Sequence, residues 1–383
     1  MFCKIMLQSV YITRLSTFLP NQAVENENME NFIGMIDGKP SRVKPIILRQ
    51  NGIKRRYYAL DEEHNITHSN AQLAAAAING LFMNDEEKQQ VEVLTCGTST
   101  PDQLLPSHAS MVHGEAFPQP MEIYSLAGVC LTSVAALKTS YMSIASGNSS
   151  NAVCCTSELS SPTFLSKFYQ NELENLKDIE KHPYLAFEKD FLRYMLSDGA
   201  AALYLSEKKE DGMALRINGI EMISFANEQP ACMYMLTDAR EDGSLKSWKE
   251  YSIEELSRKS VWCCKQNVKL LNKYAIKYFV DAIEMAMTKL MLNYDEVTYV
   301  IPHISSMYFY QRLADEISSR GINLPTTKWF TNLPMVGNIG SVSPYAALYE
   351  LFYSGRISKG DRILLLVPES GRFSYGVVSL TAV

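Results

Sequence analysis

Three polar residues that together suit acyl-transfer chemistry occur in order along this 383-residue chain. Cys130 lies where a short apolar run gives way to a long helical pattern, and His303 follows a β-rich run and a proline. Asn338 lies in a loop between Gly337 and Gly340. A cysteine thiolate can attack a thioester, and histidine and asparagine can donate hydrogen bonds to a second thioester oxygen. These three residues therefore form a candidate Cys-His-Asn site.

Each of the three also has a plain structural interpretation. The helical pattern that begins at Cys130 ends at Gly147, which suits a left-handed C-cap. We therefore predict Cys130 in the first helical turn, where the helix dipole would lower the pKa of its thiol. The alternative is a buried thiol that packs the junction of strand and helix. A lone histidine in the core and a simple Gly-Asn-x-Gly turn are the corresponding alternatives for His303 and Asn338.

The other cysteines suit neither a disulfide framework nor a zinc site. Two pairs are adjacent in sequence, and no C-x-x-C spacing occurs. We interpret all eight as reduced thiols and expect no bound metal; they are residues 3, 96, 130, 154, 155, 232, 263 and 264.

Composition and charge exclude several classes of protein. The chain is 46% hydrophobic and 20% charged, which is typical of a globular protein. The net charge of −6 disfavours a nucleic-acid partner. Polar residues interrupt the apolar N-terminal stretch, so the sequence predicts neither a signal peptide nor a membrane span. We expect a cytoplasmic location.

Short β-rich runs alternate with helical patterns, which favours an α/β fold with largely buried sheets. We place a division between an N-terminal half, residues 1–208, which carries Cys130, and a C-terminal half, residues 209–383, which carries His303 and Asn338. Predicted strands cover 91–100, 151–158, 200–207, 297–303, 361–369 and 375–383. Predicted helices cover 69–82, the stretch after Cys130, a broken pattern at 251–292, and 343–355.

Several motifs resemble the β-ketoacyl-acyl-carrier-protein synthase III branch of the thiolase superfamily. They are "VCLTSVAAL" (129–137), "SDGAAALYL" (197–205), "YVIPHISS" (299–306) and the run from "VGNIGSVSPY" to "VPESGRFSYG" (336–376). The resemblance implies a five-layer αβαβα fold of two similar halves, a homodimer, and acyl carrier protein or coenzyme A thioesters as substrates. It implies no cofactor.

The resemblance also implies roles for individual residues. Cys130 matches the nucleophile of the family, His303 its catalytic histidine and Asn338 its asparagine. The backbone N–H groups of Cys130 and Gly371 match the oxyanion hole, and Leu105 falls where the family caps the acyl pocket of the partner subunit.

Departures from the family pattern point to a specialised subgroup. The stretches 31–59 and 96–115, with "VPESGRF", resemble condensing enzymes of dialkylresorcinol and related aryl-lipid pathways, in which condensation is followed by closure of a cyclohexanedione ring. Glu369 and His113 are the additional ionisable candidates there; a strand-end surface carboxylate and a loop histidine are their structural alternatives. An arginine that the housekeeping enzymes place against coenzyme A is Gln50 here, next to Arg49.

The leading hypothesis is thus an acyl-enzyme on Cys130 followed by Claisen condensation, as in fatty acid biosynthesis. Two alternatives are acyl transfer to oxygen or nitrogen without condensation, and a non-catalytic subunit that binds acyl thioesters.

Overall fold

The computed structural model describes residues 8–169, 190–258 and 261–383. Most of the predicted strands and helices form, with ends shifted by a few residues. The strands are β1 Tyr11–Phe18, β2 Val24–Glu25, β3 Arg55–Arg56, β4 Val93–Thr98, β5 Glu122–Ala127, β6 Asn151–Glu158, β7 Gly199–Ser206, β8 Leu215–Ser224, β9 Met233–Tyr234, β10 Thr237–Ala239, β11 Leu245–Ser247, β12 Lys265–Gln266, β13 Tyr299–Pro302, β14 Arg362–Glu369 and β15 Ser374–Ala382.

The helices follow the amphipathic segments of the sequence. The broken pattern at 251–292 resolves into a short helix and a long one. The α-helices are α1 Met29–Ile33, α2 Lys44–Asn51, α3 Asn70–Asn79, α4 Asp85–Lys88, α5 His108–Ala116, α6 Thr132–Ala145, α7 Ile253–Arg258, α8 Val268–Lys289, α9 Tyr308–Ser319, α10 Leu333–Val336 and α11 Ser343–Tyr353.

In the described residues, nine strands form one continuous sheet in the order β13-β14-β15-β8-β1-β7-β6-β4-β5. Strands β1 and β8 join through only two residue pairs, Tyr11 with Arg216 and Ile12 with Leu215. The sheet therefore consists of a five-stranded part on one side of this junction and a four-stranded part on the other. The predicted division at residue 208 falls between β7 and β8 and stays a prediction.

Helices cover both parts of the sheet on both faces. Helix α6 contacts β4 and β6 on one side and β8 and β15 on the other, while α11 contacts β1, β7 and β13, so these two helices lie between the parts. Helices α3 and α5 cover the outer face of the five-stranded part, and α8, which packs on α9, covers that of the four-stranded part. The result is the helix-sheet-helix-sheet-helix arrangement that the family resemblance implied.

Side-chain alternation along β14 shows why that strand is apolar from Ile363 to Val367. Ile363, Leu365 and Val367 enter the central core beside α6 and α11. Leu364 and Leu366 enter the outer core beside α8 and α9. A strand buried on both faces cannot alternate polar with apolar residues, which accounts for its continuous hydrophobic run.

The candidate site lies where parallel strands end. Strands β5, β4 and β6 run parallel to one another, as do β13 and β14. The carboxyl end of β5 leads to Cys130, that of β13 to His303, and β14 ends at Glu369. Open α/β sheets bind their ligands at this edge, so the topology brings the three side chains toward one location.

Candidate active site

Cys130 lies immediately before helix α6 and not inside its first turn. The helix begins at Thr132 with Leu131 as N-cap, so the predicted helix start was wrong by two residues. The N–H and Oγ of Ser133 donate to the carbonyl oxygen of Cys130, at 3.4 and 2.8 Å. A Cβ on Gly376 would lie 2.7 Å from Leu131, so this glycine lets the start of α6 approach β15 closely. Cys130 is thereby fixed between the two parts of the sheet.

The pKa of the Cys130 thiol is shifted in the direction opposite to the predicted one. Burial raises the pKa of its thiol well above the usual value, and the nearby carboxylates of Glu369 and Glu158 raise it further. The predicted lowering of this pKa is therefore wrong for the unliganded protein, because desolvation and two carboxylates raise it. Cys130 rests as a thiol, and a proton must leave it when it attacks.

His303 is held rigidly at the end of β13. Its backbone N–H donates to the carbonyl oxygen of Leu366 at 2.8 Å. Its side chain is buried, and its Nε2 has no hydrogen-bond partner among the described residues. Burial lowers the pKa of His303 to about 4, so the imidazole is neutral at physiological pH. An unpartnered ring nitrogen in such a site is available to a ligand.

Asn338 is oriented by its own loop. Its side-chain Oδ1 accepts from the N–H of Gly340 at 3.1 Å and from the Oγ of Ser343 at 3.5 Å. Its backbone bonds to Met195 and Ser197 fix the loop on the neighbouring segment. Because Oδ1 is engaged, the Nδ2 group is the part of this amide left to donate to a ligand.

Two apolar cavities meet at Cys130. The first, of about 60 Å³, contacts Cys130, His303 and Glu369 and continues between α8 and α9 past Phe279 and Leu313. The second, of about 140 Å³, also contacts Cys130 and contains Asn338. Its apolar lining includes Phe164, Phe191, Leu192, Met195 and Met233. Four residues border both cavities: Cys130, Leu271, Ser305 and Ser370.

The remaining predicted site residues fall into two groups. Glu369 is in the site: its Oε2 accepts from the N–H of Val129 at 3.0 Å and of Leu131 at 3.2 Å. Gly371 is in the turn after β14, and its carbonyl oxygen accepts from the N–H groups of Cys232 and Met233. In the described part of the chain, neither the N–H of Gly371 nor that of Cys130 makes a hydrogen bond within the protein.

His113 and Leu105 lie outside the two cavities. His113 is on α5, where its Nε2 bonds to the carbonyl oxygen of Gln119 at 2.8 Å, so it anchors a loop. The structure therefore does not bring His113 to the site. Leu105 is 86% exposed in the loop before α5.

Glu158 is a residue of this region that the sequence analysis missed. Its buried carboxylate accepts from the N–H and Oγ of Ser341, the N–H and Oγ of Ser99, and the Oγ1 of Thr100. Glu158 thus ties the loop of Asn338 to the end of β4. A lone carboxylate that ends an otherwise uncharged strand was the available signal.

Comparison with known proteins gives one family match and many relatives. Residues 287–380 match the family described as 3-Oxoacyl-[acyl-carrier-protein (ACP)] synthase III C terminal. The chain is 24% identical over 361 residues to the beta-ketoacyl-[acyl-carrier-protein] synthase III of Clostridium perfringens (strain SM101 / Type A), covering 94% of this chain and 95% of that one. It is 22% identical over 365 residues to the enzyme of the same name from Aquifex aeolicus (strain VF5), covering 95% and 96%.

Solved structures resemble it over nearly the whole chain. AbyA1, a tetronic acid condensing enzyme, has a TM-score of 0.73 at 19% identity, covering 97% of this chain and 99% of that one. The C143S variant of Xanthomonas campestris OleA, with bound lauric acid and lauroyl-CoA, has a TM-score of 0.74 at 19% identity, covering 98% and 99%. The predicted thiolase-like fold is confirmed.

These similarities support the class that the sequence resemblance implied, the 3-oxoacyl-acyl-carrier-protein synthase III-like condensing enzymes. The chain is an acyltransferase enzyme.

The described ranges of the chain contain neither a membrane-spanning helix nor a cluster of metal ligands. None of their helices combines the length and apolar character that a membrane span needs. Across those same ranges, the His, Cys, Asp and Glu side chains form no cluster of three suited to a metal ion. The expected cytoplasmic location and the expected absence of a cofactor stay predictions.

Proposed function

We propose that this enzyme forms an acyl thioester on Cys130 and then joins that acyl group to a second acyl thioester by Claisen condensation. One observation carries the proposal: Cys130 lies at the junction of two apolar cavities, beside the unpartnered Nε2 of His303. A single reactive sulfur with an apolar space on each side suits a reaction between two acyl chains.

The first step is acyl transfer to the protein. The Cys130 sulfur attacks the incoming thioester carbonyl as its proton passes to the departing thiol, and the carbon–sulfur bond of the substrate breaks. The N–H groups of Cys130 and Gly371, unused within the described part of the protein, would hold the oxyanion that forms. Apolar walls around the sulfur exclude water, which protects the acyl-enzyme from hydrolysis.

The second step needs donors for another thioester oxygen. A neutral His303 donates from Nε2–H, and Asn338 donates from Nδ2, so both stabilise the enolate of the second substrate. The enolate carbon then attacks the acyl group on Cys130, and the thiol is released. This sequence needs neither a metal nor a redox cofactor.

We assign the finer reaction to the aryl-lipid type, in which the condensed chain closes a cyclohexanedione ring on the way to a dialkylresorcinol. Two apolar cavities that meet at Cys130 support the use of two acyl groups. Enzymes named for tetronic acid condensation and for binding of lauroyl-CoA are among its structural neighbours.

A homodimer belongs to this proposal. Among the described strands, β5 is the last of the sheet and pairs only with β4. Its burial pattern is exposed along most of its length, and Tyr124 is 38% exposed. An open strand edge with apolar side chains favours pairing with a second copy. The neighbouring Leu105 would then reach the acyl cavity of the partner.

The thioester carrier would enter beside helix α2. The N–H of Met307, four residues after His303, donates to the carbonyl oxygen of Asn51 at the end of α2. Arg49 and Lys54 are exposed at this end. Two cations there suit the phosphate of a pantetheine arm on coenzyme A or on an acyl carrier protein.

Intact-protein mass spectrometry tests the proposal. Decanoyl-coenzyme A is expected to add one decanoyl group to the native enzyme and none to Cys130→Ala. The matched control is Cys264→Ala, because this thiol also lines the second cavity; it should still be acylated. Acylation of Cys130→Ala, or condensation by that variant, would contradict the proposal.

Product masses separate the remaining alternatives. Condensation gives a product that contains both acyl chains joined through carbon. An ester or amide product would instead show acyl transfer to oxygen or nitrogen, and tight binding without an adduct would show a non-catalytic subunit.

A further inference from the structure

A half-buried carboxylate in the Cys130 cavity takes no part in the steps described above. Glu369 ends β14, and its Oε2 accepts from the N–H groups of Val129 and Leu131, the two neighbours of Cys130. Glu369, Cys130 and His303 line the same cavity. The carboxylate of one part of the sheet is therefore fixed beside the reactive thiol of the other.

Only one carboxylate oxygen of Glu369, Oε2, accepts hydrogen bonds from the described residues. Both hydrogen bonds end on Oε2, and among the hydrogen bonds of the described residues none involves Oε1. A Cβ on Gly371 would lie 3.5 Å from Oε1, which places this oxygen beside the turn that carries the unused N–H of Gly371. Oε1 faces the cavity without a hydrogen bond to the described protein, so it is free to act on a ligand.

The charge of this cavity selects against one class of second substrate. Glu369 lines the cavity beside Cys130, and Glu158 lies outside it but acts on the same thiol, so the ionised form of each disfavours a further negative charge there. A thioester with its own carboxylate on the α-carbon would bring such a charge into an apolar space, where repulsion is strong. A thioester without that carboxylate meets no repulsion.

A second substrate without an α-carboxylate cannot form its enolate by losing carbon dioxide. It must lose a proton from the α-carbon, which requires a base. His303 is poorly suited to that task, since burial lowers its pKa to about 4 and its Nε2–H is needed as a donor. Burial has the opposite effect on Glu369 and raises its pKa above the ordinary value, which makes it a stronger base.

We propose that Glu369 is the general base that removes the α-proton of the second acyl thioester, and that this substrate carries no α-carboxylate. The proposal rests on the function proposed for Cys130. The α-proton moves to Oε1 of Glu369, and its electron pair forms the enolate held by His303 and Asn338. The enolate carbon bonds to the acyl carbon on Cys130, the carbon–sulfur bond breaks, and the thiolate recovers the proton from Glu369.

Exchange of α-hydrogens in deuterated water isolates this step from acylation. The Cys130→Ala variant cannot form the acyl-enzyme but keeps Glu369. With decanoyl-coenzyme A it is expected to catalyse incorporation of deuterium at the α-carbon. The double variant Cys130→Ala, Glu369→Gln should be at least about 100-fold slower, the usual contribution of a general base. Glutamine retains an oxygen acceptor for the two N–H groups, and thermal melting verifies that the variant folds.

Further measurements show whether Glu369 acts as a base or has only a structural role. In Cys130→Ala the exchange rate should rise with pH through the pKa of Glu369, and the double variant should lose this dependence. The other titratable groups that line the cavity are His303, which is neutral above pH 5, Tyr375, whose pKa burial raises above its usual value, and Cys130, which this variant lacks. Glu369→Asp in the same background retains a carboxylate and should regain part of the exchange.

Four results would overturn the inference. They are absence of exchange in Cys130→Ala, equal exchange in the double variant, a folded aspartate variant no faster than the glutamine variant, and malonyl-coenzyme A used as second substrate in preference to decanoyl-coenzyme A. A failure of the function proposed for Cys130 is recognised separately, because the native enzyme would then show no acyl adduct.

Discussion

Replacement of Gly340 by alanine should damage both stability and condensation, for reasons that the loop geometry makes explicit. Gly340 has a φ of +52°, and its N–H holds the Oδ1 of Asn338 at 3.1 Å. A Cβ at this position would lie 3.2 Å from three atoms of the Glu158 side chain. That side chain is held by Ser99 and Ser341, so it cannot move aside without breaking hydrogen bonds.

The expected cost has two parts, and a second glycine separates them. A left-handed backbone costs alanine about 1–2 kcal/mol. Crowding in a packed interior adds about 1–3 kcal/mol. Gly355 has a φ of +72°, and a Cβ there would meet no described atom within 4 Å, so Gly355→Ala should carry the first cost alone. Gly340→Ala is thus expected to lose roughly 2–5 kcal/mol and the control about 1–2 kcal/mol.

Urea unfolding and two separate rate measurements test this prediction. Because Gly340→Ala displaces an enolate donor, condensation should slow by about tenfold or more, whereas acylation of Cys130 should stay near the native rate. Gly355→Ala should leave both rates unchanged. Equal stability of the two variants, together with equal condensation rates, would refute the proposed coupling of Gly340, Glu158 and Asn338.

Three further predictions address charge and protonation. Glu158→Gln should lower the pKa of the Cys130 thiol, because it removes one of the two carboxylate charges that raise this pKa. The pH dependence of alkylation by iodoacetamide measures the pKa, and an unchanged midpoint would contradict the prediction. The folded-state pKa of His303, about 4, lies below its unfolded value of 6.5, so protonation of His303 favours the unfolded state. The free energy of unfolding should therefore fall as the pH falls from 6.5 toward 4, by about 2 kcal/mol between pH 7 and pH 5. His303→Gln should remove that part of the pH dependence of urea unfolding, and an identical slope would contradict it. Arg49→Glu should raise the KM for decanoyl-coenzyme A with little change in kcat. The exposed control Lys208→Glu should change neither constant. Equal effects of the two variants would contradict entry of the thioester carrier beside α2.

The fold was largely predictable because its strands are buried on both faces. Runs such as 151–158 and 361–369 contain short apolar, β-rich segments, and each became a strand with nearly the predicted ends. Strand β8, Leu215–Ser224, was not predicted, although buried Leu215 and Ile217 alternate with exposed Arg216 and Asn218 in the pattern typical of a strand. Its pairing with β15 along its length is a distant contact that no local pattern shows.

The site was predictable in its residue types and not in its electrostatics. Cys130, His303 and Asn338 each follow or precede a recognisable element, so their order along the chain was informative. The raised pKa of Cys130 depends on Glu369, which is 239 positions away in sequence, and on Glu158. The helix dipole is a local property and could be anticipated, whereas these carboxylates act only after the two parts of the sheet meet.

A thiol that rests protonated has a consequence for how the enzyme avoids side reactions. Burial and two carboxylates disfavour the thiolate of Cys130 in the empty cavity, which protects it from oxidation and adventitious alkylation. A bound thioester changes that balance, because its developing oxyanion takes up the N–H groups of Cys130 and Gly371 and its leaving thiolate accepts the proton. The same carboxylate that suppresses the free thiolate, Glu369, is then in place for the α-proton of the second substrate. Reactivity would thus arise with substrate binding, and alkylation of Cys130 should be slow in the free enzyme.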